Sequence, residues 1–179
     1  MTEHPFSLIP FPAPHLPAIT LTGNIARHHF LDIRYLLTGN VDELFLPPPS
    51  PRPGRRAELW KATCFEFFLA AKDEPGYWEF NMSPSGDWNV YRMDAYRRIG
   101  FREETKIPQL PLDIKRDLDR FSLDVAVDVA PLVQPKQEIQ IGITAVIQTK
   151  DGSETYWALA HPAPQADFHS RESFTVALA

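Results

Sequence analysis

The stretch "TCFEFFLAAKDEPGYWEFNMSPSGDWNVYRM", residues 63–93, decides how the chain folds. Two aromatic-rich segments flank the turn signal Glu74-Pro75-Gly76, and a second signal, Ser83 to Gly86, follows them. Setting Ala70 opposite Tyr77 in an antiparallel hairpin places Glu66 opposite Asn81, Phe68 opposite Glu79 and Cys64 opposite Ser83. One face then carries Phe65, Phe67, Leu69, Trp78, Phe80 and Met82, all apolar. The other carries Cys64, Glu66, Phe68, Tyr77, Glu79, Asn81 and Ser83. A slip by one residue would bury the carboxylates and expose six large apolar groups, so the pattern specifies this register. Across the second turn, pairing Asn81 with Trp88 puts Trp88, Val90 and Arg92 on the polar face as well. A bulge at that turn would reverse the parity.

The same period of two runs through the rest of the chain. Leu31, Ile33, Tyr35 and Leu37 alternate with Asp32, Arg34 and Leu36, and "FSLDVAVDV" places Phe121, Leu123, Val125, Val127 and Val129 on one side. "IQIGITAVIQ" repeats the pattern, and "FTVAL" closes the chain with Phe174, Val176 and Leu178. Strands with one apolar and one wetter face are the mark of antiparallel sheets. Lys150-Asp151-Gly152 reads as the turn of a hairpin joining a strand near 138–148 to one near 154–160. "LPLDIKRDLDRF" holds one helical turn at most. Eight to ten strands in 179 residues predict an all-β protein, a two-sheet antiparallel β-sandwich or jelly roll, with residues 1–179 as one domain.

Composition narrows the function. Eighteen prolines favour short elements joined by loops. A net charge of −5 offers no general attraction to phosphate backbones or anionic lipid, which argues against nucleic-acid and membrane-surface partners. The one cysteine, Cys64, cannot form an internal disulfide. The N-terminal segment lacks the basic and apolar regions of a signal peptide, and no apolar run is long enough to span a bilayer, so the expected location is the cytoplasm. Oligomeric state is not legible in the sequence.

The polar face of the hairpin is the candidate site. Flat rings beside carboxylate, amide and guanidinium groups suit a saccharide, whose C–H faces stack on rings while its hydroxyls pair with planar polar groups. The alternative is an ordinary solvated sheet face. Glu66 and Glu79 also have the placement of a glycosidase pair, but nothing in the sequence pattern supplies a deep cleft or a desolvated acid. Phosphate loops, dinucleotide fingerprints and nucleophile elbows are absent from the sequence.

"LWKATCFEFFLA", "YWEFNMSPSGDW" and "DFHSRESF" together resemble the DOMON-like group related to family 9 carbohydrate-binding modules. The resemblance covers residues 57–100 and 165–178 and implies a non-catalytic β-sandwich that holds a saccharide on one sheet. In family 9 modules a tryptophan, and a glutamate six residues later, belong to the sugar pocket; the matching positions are Trp60 and Glu66, and Asn81 matches an asparagine on the next strand. Thr63 and Cys64 stand where the family has an aspartate, and Trp157, Phe168 and Trp88 compete for the place of its second tryptophan. In a straight strand six residues span about 20 Å, so Trp60 and Glu66 meet only if the chain bends near "LWKAT". The expected binding set is Trp60 and Trp88 for stacking, Glu66 and Asn81 for hydroxyls, and Arg92 and His169 at the rim.

Two other functions compete. DOMON relatives hold haem through methionine and histidine or lysine, and Met82, Met93, His161 and His169 are the available ligands, Met82 being expected in the core. Asp73-Glu74 offers a turn that could take calcium. The proline run Pro47 to Pro53 could serve an interaction scaffold as its contact. No cofactor is required by the leading reading.

Overall fold

The computed structural model of the chain describes residues 3–97 and 99–179. Thirteen strands are present among them: β1 (His4–Ser7), β2 (Ile9–Pro10), β3 (Ile19–Arg27), β4 (Leu31–Gly39), β5 (Cys64–Ala71), β6 (Tyr77–Met82), β7 (Trp88–Met93), β8 (Arg102–Glu103), β9 (Leu112–Arg116), β10 (Arg120–Val127), β11 (Ile139–Gln148), β12 (Glu154–Ala158) and β13 (Val176–Leu178). They form two antiparallel sheets, a five-stranded one in the order β1-β3-β4-β10-β9 and an eight-stranded one in the order β2-β12-β11-β5-β6-β7-β8, with β13 also on β11. The protein is a two-sheet β-sandwich. No helix among the described residues is long and apolar enough to cross a membrane.

The alternating residues do what their spacing dictates. Leu31, Ile33, Tyr35 and Leu37 of β4, and Phe121, Leu123, Val125 and Val127 of β10, turn inward against Phe65, Phe67, Leu69, Phe80 and Met82 of the other sheet. Phe65 stacks on Phe121 across the interface with ring centroids 5.2 Å apart, and Phe67 stacks on its strand neighbour Phe80 at 4.1 Å. Each such buried ring contributes about 1.5–3 kcal/mol by leaving water. Tyr35 is the polar tie between the sheets: its hydroxyl donates to the backbone carbonyl of Glu66 at 2.7 Å. That bond anchors β5 at Glu66.

One expectation needs correction. The segment expected to hold at most a helical turn forms β9, because Leu112 and Ile114 alternate against the core and Asp117–Arg120 closes a tight hairpin to β10. The proline run, residues 47–53, is an extended surface loop without regular secondary structure. Its tail runs parallel to the start of β7, with the Trp88 N–H donating to Gly54 O and the Arg56 N–H to Trp88 O.

On the outer side of the eight-stranded sheet, β12 and β13 share one edge of β11, at its two ends. The chain between them, residues 159–175, is left to cross the outer face. Its descent requires Gly142: any Cβ there would lie 2.7 Å from the Phe174 ring, so only glycine lets that ring reach the sheet. Arg171 fastens the crossing, donating to Glu74 O and to Gln140 Oε1, each at 2.7 Å.

Candidate functional site

The register of β5 and β6 is the expected one, with Phe65 opposite Met82, Glu66 opposite Asn81, Phe67 opposite Phe80 and Phe68 opposite Glu79. Glu66, Phe68, Glu79 and Asn81 therefore share the outer face of the eight-stranded sheet, and Thr144 of β11 lies opposite Glu66 on its other side. The bend that the Trp60–Glu66 pairing demands is also present. Leu59–Lys61 is a 3-10 turn entered through Glu58 in the left-handed region (φ 60°), and it sets Trp60 edge-on to Tyr91 at 5.8 Å.

These elements and the 159–175 crossing line a cavity of about 870 Å³ that opens to solvent. That lies within the range of roughly 300–1,000 Å³ typical of small-molecule sites. Trp60, Glu66, Phe68 and Glu79 form its floor and one side; Tyr156 of β12, with Phe168 and His169 of the crossing, forms another. Tyr156 and Phe168 meet edge to face at 6.0 Å. At the rim the Tyr96 hydroxyl donates to Asp167 Oδ2, and Arg97 lies 3.4 Å from the same oxygen.

The polar groups on the floor are deeply buried. Glu66 is 2% exposed, Glu79 5% and Asn81 not at all. Glu66 Oε2 accepts a long bond, 3.4 Å, from the Thr144 hydroxyl, while Glu66 Oε1 has no hydrogen-bond partner among the described residues. Asn81 Nδ2 donates to Glu79 Oε1 at 2.9 Å, and Asn81 Oδ1 again has no partner among them. Burial, and next the negative field of Glu79, push the Glu66 carboxyl well above the usual carboxylate range, against hydrogen bonds from Cys64 and Thr144. His169 bridges the set. Its Nδ1 is 2.9 Å from the Tyr77 hydroxyl and its Nε2 is 3.9 Å from Glu79 Oε2.

A buried acceptor without a donor costs about 1–3 kcal/mol, so folded proteins rarely leave one without a use. The contrast with Asn89 is direct, since it sits opposite Asn81 on β7. Asn89 Oδ1 accepts from Arg55, and its Nδ2 faces Arg56 O, the Tyr91 hydroxyl and Glu103 Oε1. One asparagine is saturated by the fold; the other keeps an acceptor open.

Of the six expected site residues, Trp60, Glu66 and His169 wall the cavity. Asn81 lies beside them, holding Glu79 rather than forming the wall itself. Trp88 and Arg92 are elsewhere, and the reason is the turn. Asn81 pairs with Asn89, not Trp88, and Met82 pairs with Trp88. The Ser83 N–H donates to Asp87 O and the Gly86 N–H to Ser83 O, leaving a three-residue loop that ends with Gly86 at φ 90°. This is the type I turn plus left-handed bulge that shifts pairing by one residue and reverses the face. Trp88 consequently enters the core beneath the Arg55 guanidinium, 4.5 Å from its ring. Arg92 lies over Trp78 at 4.6 Å, on the side away from the cavity.

The lining residues outside the expected set include Phe68, Glu79, Tyr156 and Phe168. The first two were visible as members of the polar face. Tyr156 follows from alternation in "SETYWALA", which sends Trp157 to the core and its neighbour outward. Among the haem candidates, Met82 packs in the core between the sheets while His169 lies over the outer face, so this pair cannot hold one iron.

The geometry defines a class: a β-sandwich with a covered, polar-aromatic cavity on one sheet. No protein-family model matches the sequence, and none of the curated proteins compared with it does. The fold is similar to that of a candidate carbohydrate-binding protein from Bacteroides uniformis ATCC 8492, with a TM-score of 0.67 and 12% identity over 96% of this chain and 83% of that one. A family 9 carbohydrate-binding module from Caldicellulosiruptor kristjanssonii, solved with glucose, superimposes with a TM-score of 0.47 and 9% identity over 80% of this chain and 69% of that one.

Proposed function

We propose that the protein is a non-catalytic binding module that takes a small saccharide or similar polyol into the covered cavity. One observation carries the reading. Glu66 Oε1 is a buried acceptor with no partner among the described residues, in the wall of a cavity of ligand size. A ligand hydroxyl supplies the donor it lacks. Asn81 Oδ1 is a second open acceptor on the same face, and Trp60, Phe68, Tyr156 and Phe168 offer ring surfaces for sugar C–H groups. His169, held by Tyr77, stands at the side of the cavity where it can meet a further hydroxyl.

The reading treats residues 1–179 as one domain, keeps kinship with the DOMON-like and family 9 modules as its family expectation, and places the protein in the cytoplasm. It gives no role to haem. The scaffold alternative draws less support, since the tail of the proline run is paired to β7. Isothermal calorimetry of the purified, folded protein against mono- and oligosaccharides tests the proposal. We expect saturable heat with at least one of them, weakened by Glu66→Gln and by Trp60→Ala; no heat with any sugar refutes it.

A further inference from the structure

We propose that β9 is a self-association edge: two copies of this chain pair antiparallel through Leu112–Arg116 about a two-fold axis at Ile114, joining their five-stranded sheets into one continuous sheet. The inference is independent of the saccharide reading, because it concerns the sheet that contributes nothing to the cavity wall.

The five-stranded sheet ends in β1 and β9, the eight-stranded one in β2 and β8. Three of these edges are blunted. β1 carries Pro5, β2 is two residues long and ends in Pro10, and β8 is two residues long. β9 is five residues long and contains no proline. The ladder to β10 fixes which side of β9 is open. The Asp117 N–H donates to Arg120 O at 2.8 Å, and bonded pairs alternate along an antiparallel ladder, so Lys115 and Asp113 make the bonds to Ser122 and Asp124. The N–H and C=O groups of Leu112, Ile114 and Arg116 therefore point away from β10, where they have no hydrogen-bond partner among the described residues. Leu112 and Ile114 rest against the core only partly buried.

The side chains of β9 match a second copy of themselves. With Ile114 opposite Ile114 of the second copy, Asp113 falls opposite Lys115 and Leu112 opposite Arg116, on both sides of the axis. The two Ile114 residues then exchange N–H···O bonds with the groups that β10 leaves open. A lysine on an edge strand ordinarily deters pairing, but here an aspartate two residues earlier supplies its partner. Asp113 in turn lacks a close cation. It lies directly opposite Asp124, onto which Arg34 already forks, and its own Lys115 approaches only to 3.5 Å, with the two side chains 64% and 66% exposed. Lys115 of the second copy, on the far side of Asp113, completes that row of charges. The same register carries the tip of the β9–β10 hairpin, whose Leu118 is 95% exposed, alongside residues 110 and 111 of the second copy. Five residues a side bury less than a permanent dimer needs, so the association is reversible and depends on concentration.

The test is sedimentation equilibrium of the full protein from about 10 µM to about 1 mM, the range in which a small interface associates. The weight-average mass should rise from monomer toward dimer across that range. Ile114→Pro removes the two central donors without breaking a ladder bond of the monomer, and should keep the protein monomeric throughout. Asp113→Lys and Lys115→Asp should each weaken dimerisation at least about tenfold by setting like charges opposite one another. The double variant Asp113→Lys/Lys115→Asp restores the match and should recover the dimer. Circular dichroism and melting temperature check that each variant is folded. A wild type that stays monomeric at every concentration overturns the proposal. So does a dimer that survives Ile114→Pro, or a double reversal that dimerises no better than the single ones. The charge reversals decide the matter even if Ile114→Pro fails to fold.

Discussion

The two outer faces of this sandwich are built from similar residues and have opposite fates. On the five-stranded sheet, β4 and β10 turn Asp32, Arg34, Ser122 and Asp124 outward, and the burial of β4 alternates as a half-exposed strand should. Arg34 and Asp124 meet there in a forked pair at 2.6 and 3.0 Å, with the arginine side chain 59% exposed. On the eight-stranded sheet, β5 and β6 turn Glu66, Glu79 and Asn81 outward, yet every residue of both strands is buried. The strands do not differ in kind. The cover does: the crossing between β12 and β13, with the 3-10 turn at Trp60, closes over one sheet and leaves the other open. A polar outward face becomes a site only where something folds across it, because only there do its polar groups lose water as a partner.

Substitutions that separate cover, core and open face put this comparison at risk. The largest effect is expected from Phe67→Ala on the inner face of β5, which removes the ring stacked on Phe80 and should cost about 3–5 kcal/mol in chemical denaturation. Gly142→Ala should follow, at about 1–3 kcal/mol, because its methyl group meets Phe174 and lifts the crossing. Its stability loss should come with weakened ligand binding, a coupling that no open-face substitution should show. Tyr35→Phe should cost about 1 kcal/mol by removing the sheet-to-sheet hydrogen bond to Glu66 O.

Glu66→Gln tests the buried carboxyl through pH. Its folded-state pKa is raised above the unfolded value of about 4.3, so folding favours the protonated form. The stability it allows is fully present below the unfolded pKa and is lost as pH rises through the folded one. The melting temperature of Glu66→Gln should therefore gain on the wild type as pH rises, and a constant difference across pH would contradict this. Arg34→Ala, on the open face, should change stability by no more than about 0.5 kcal/mol, as exposed ion pairs contribute little.

Much of the sandwich is readable from the sequence because alternation is local. Phe65 to Leu69 and Trp78 to Met82 carry enough contrast between faces to fix their register, and β4 and β10 carry enough to show which of their faces is buried. The parity of β7 is not readable that way. It depends on whether Gly86 ends a three-residue loop in the left-handed region, and Ser83-Pro84-Ser85-Gly86 alone does not say which loop length wins. Trp88 and Arg92 followed that parity to the wrong face. The cover is still harder to foresee. "HPAPQADFHSRESF" has no periodicity, and its position is set by Gly142, Glu74 and Tyr77, all distant in sequence. His169 was identifiable as a loop histidine near charged neighbours; its place against Glu79 comes only from the crossing.

The most direct measurement of the central claim is a calorimetric titration of three proteins with the saccharide that binds the wild type best. These are the wild type, Glu66→Gln under the cover and Asp124→Asn on the open face. The account predicts binding by the wild type, a loss of at least about tenfold in Glu66→Gln, and an unchanged affinity in Asp124→Asn. Absence of binding by the folded wild type across the saccharide panel, or equal affinities in all three proteins, would contradict it.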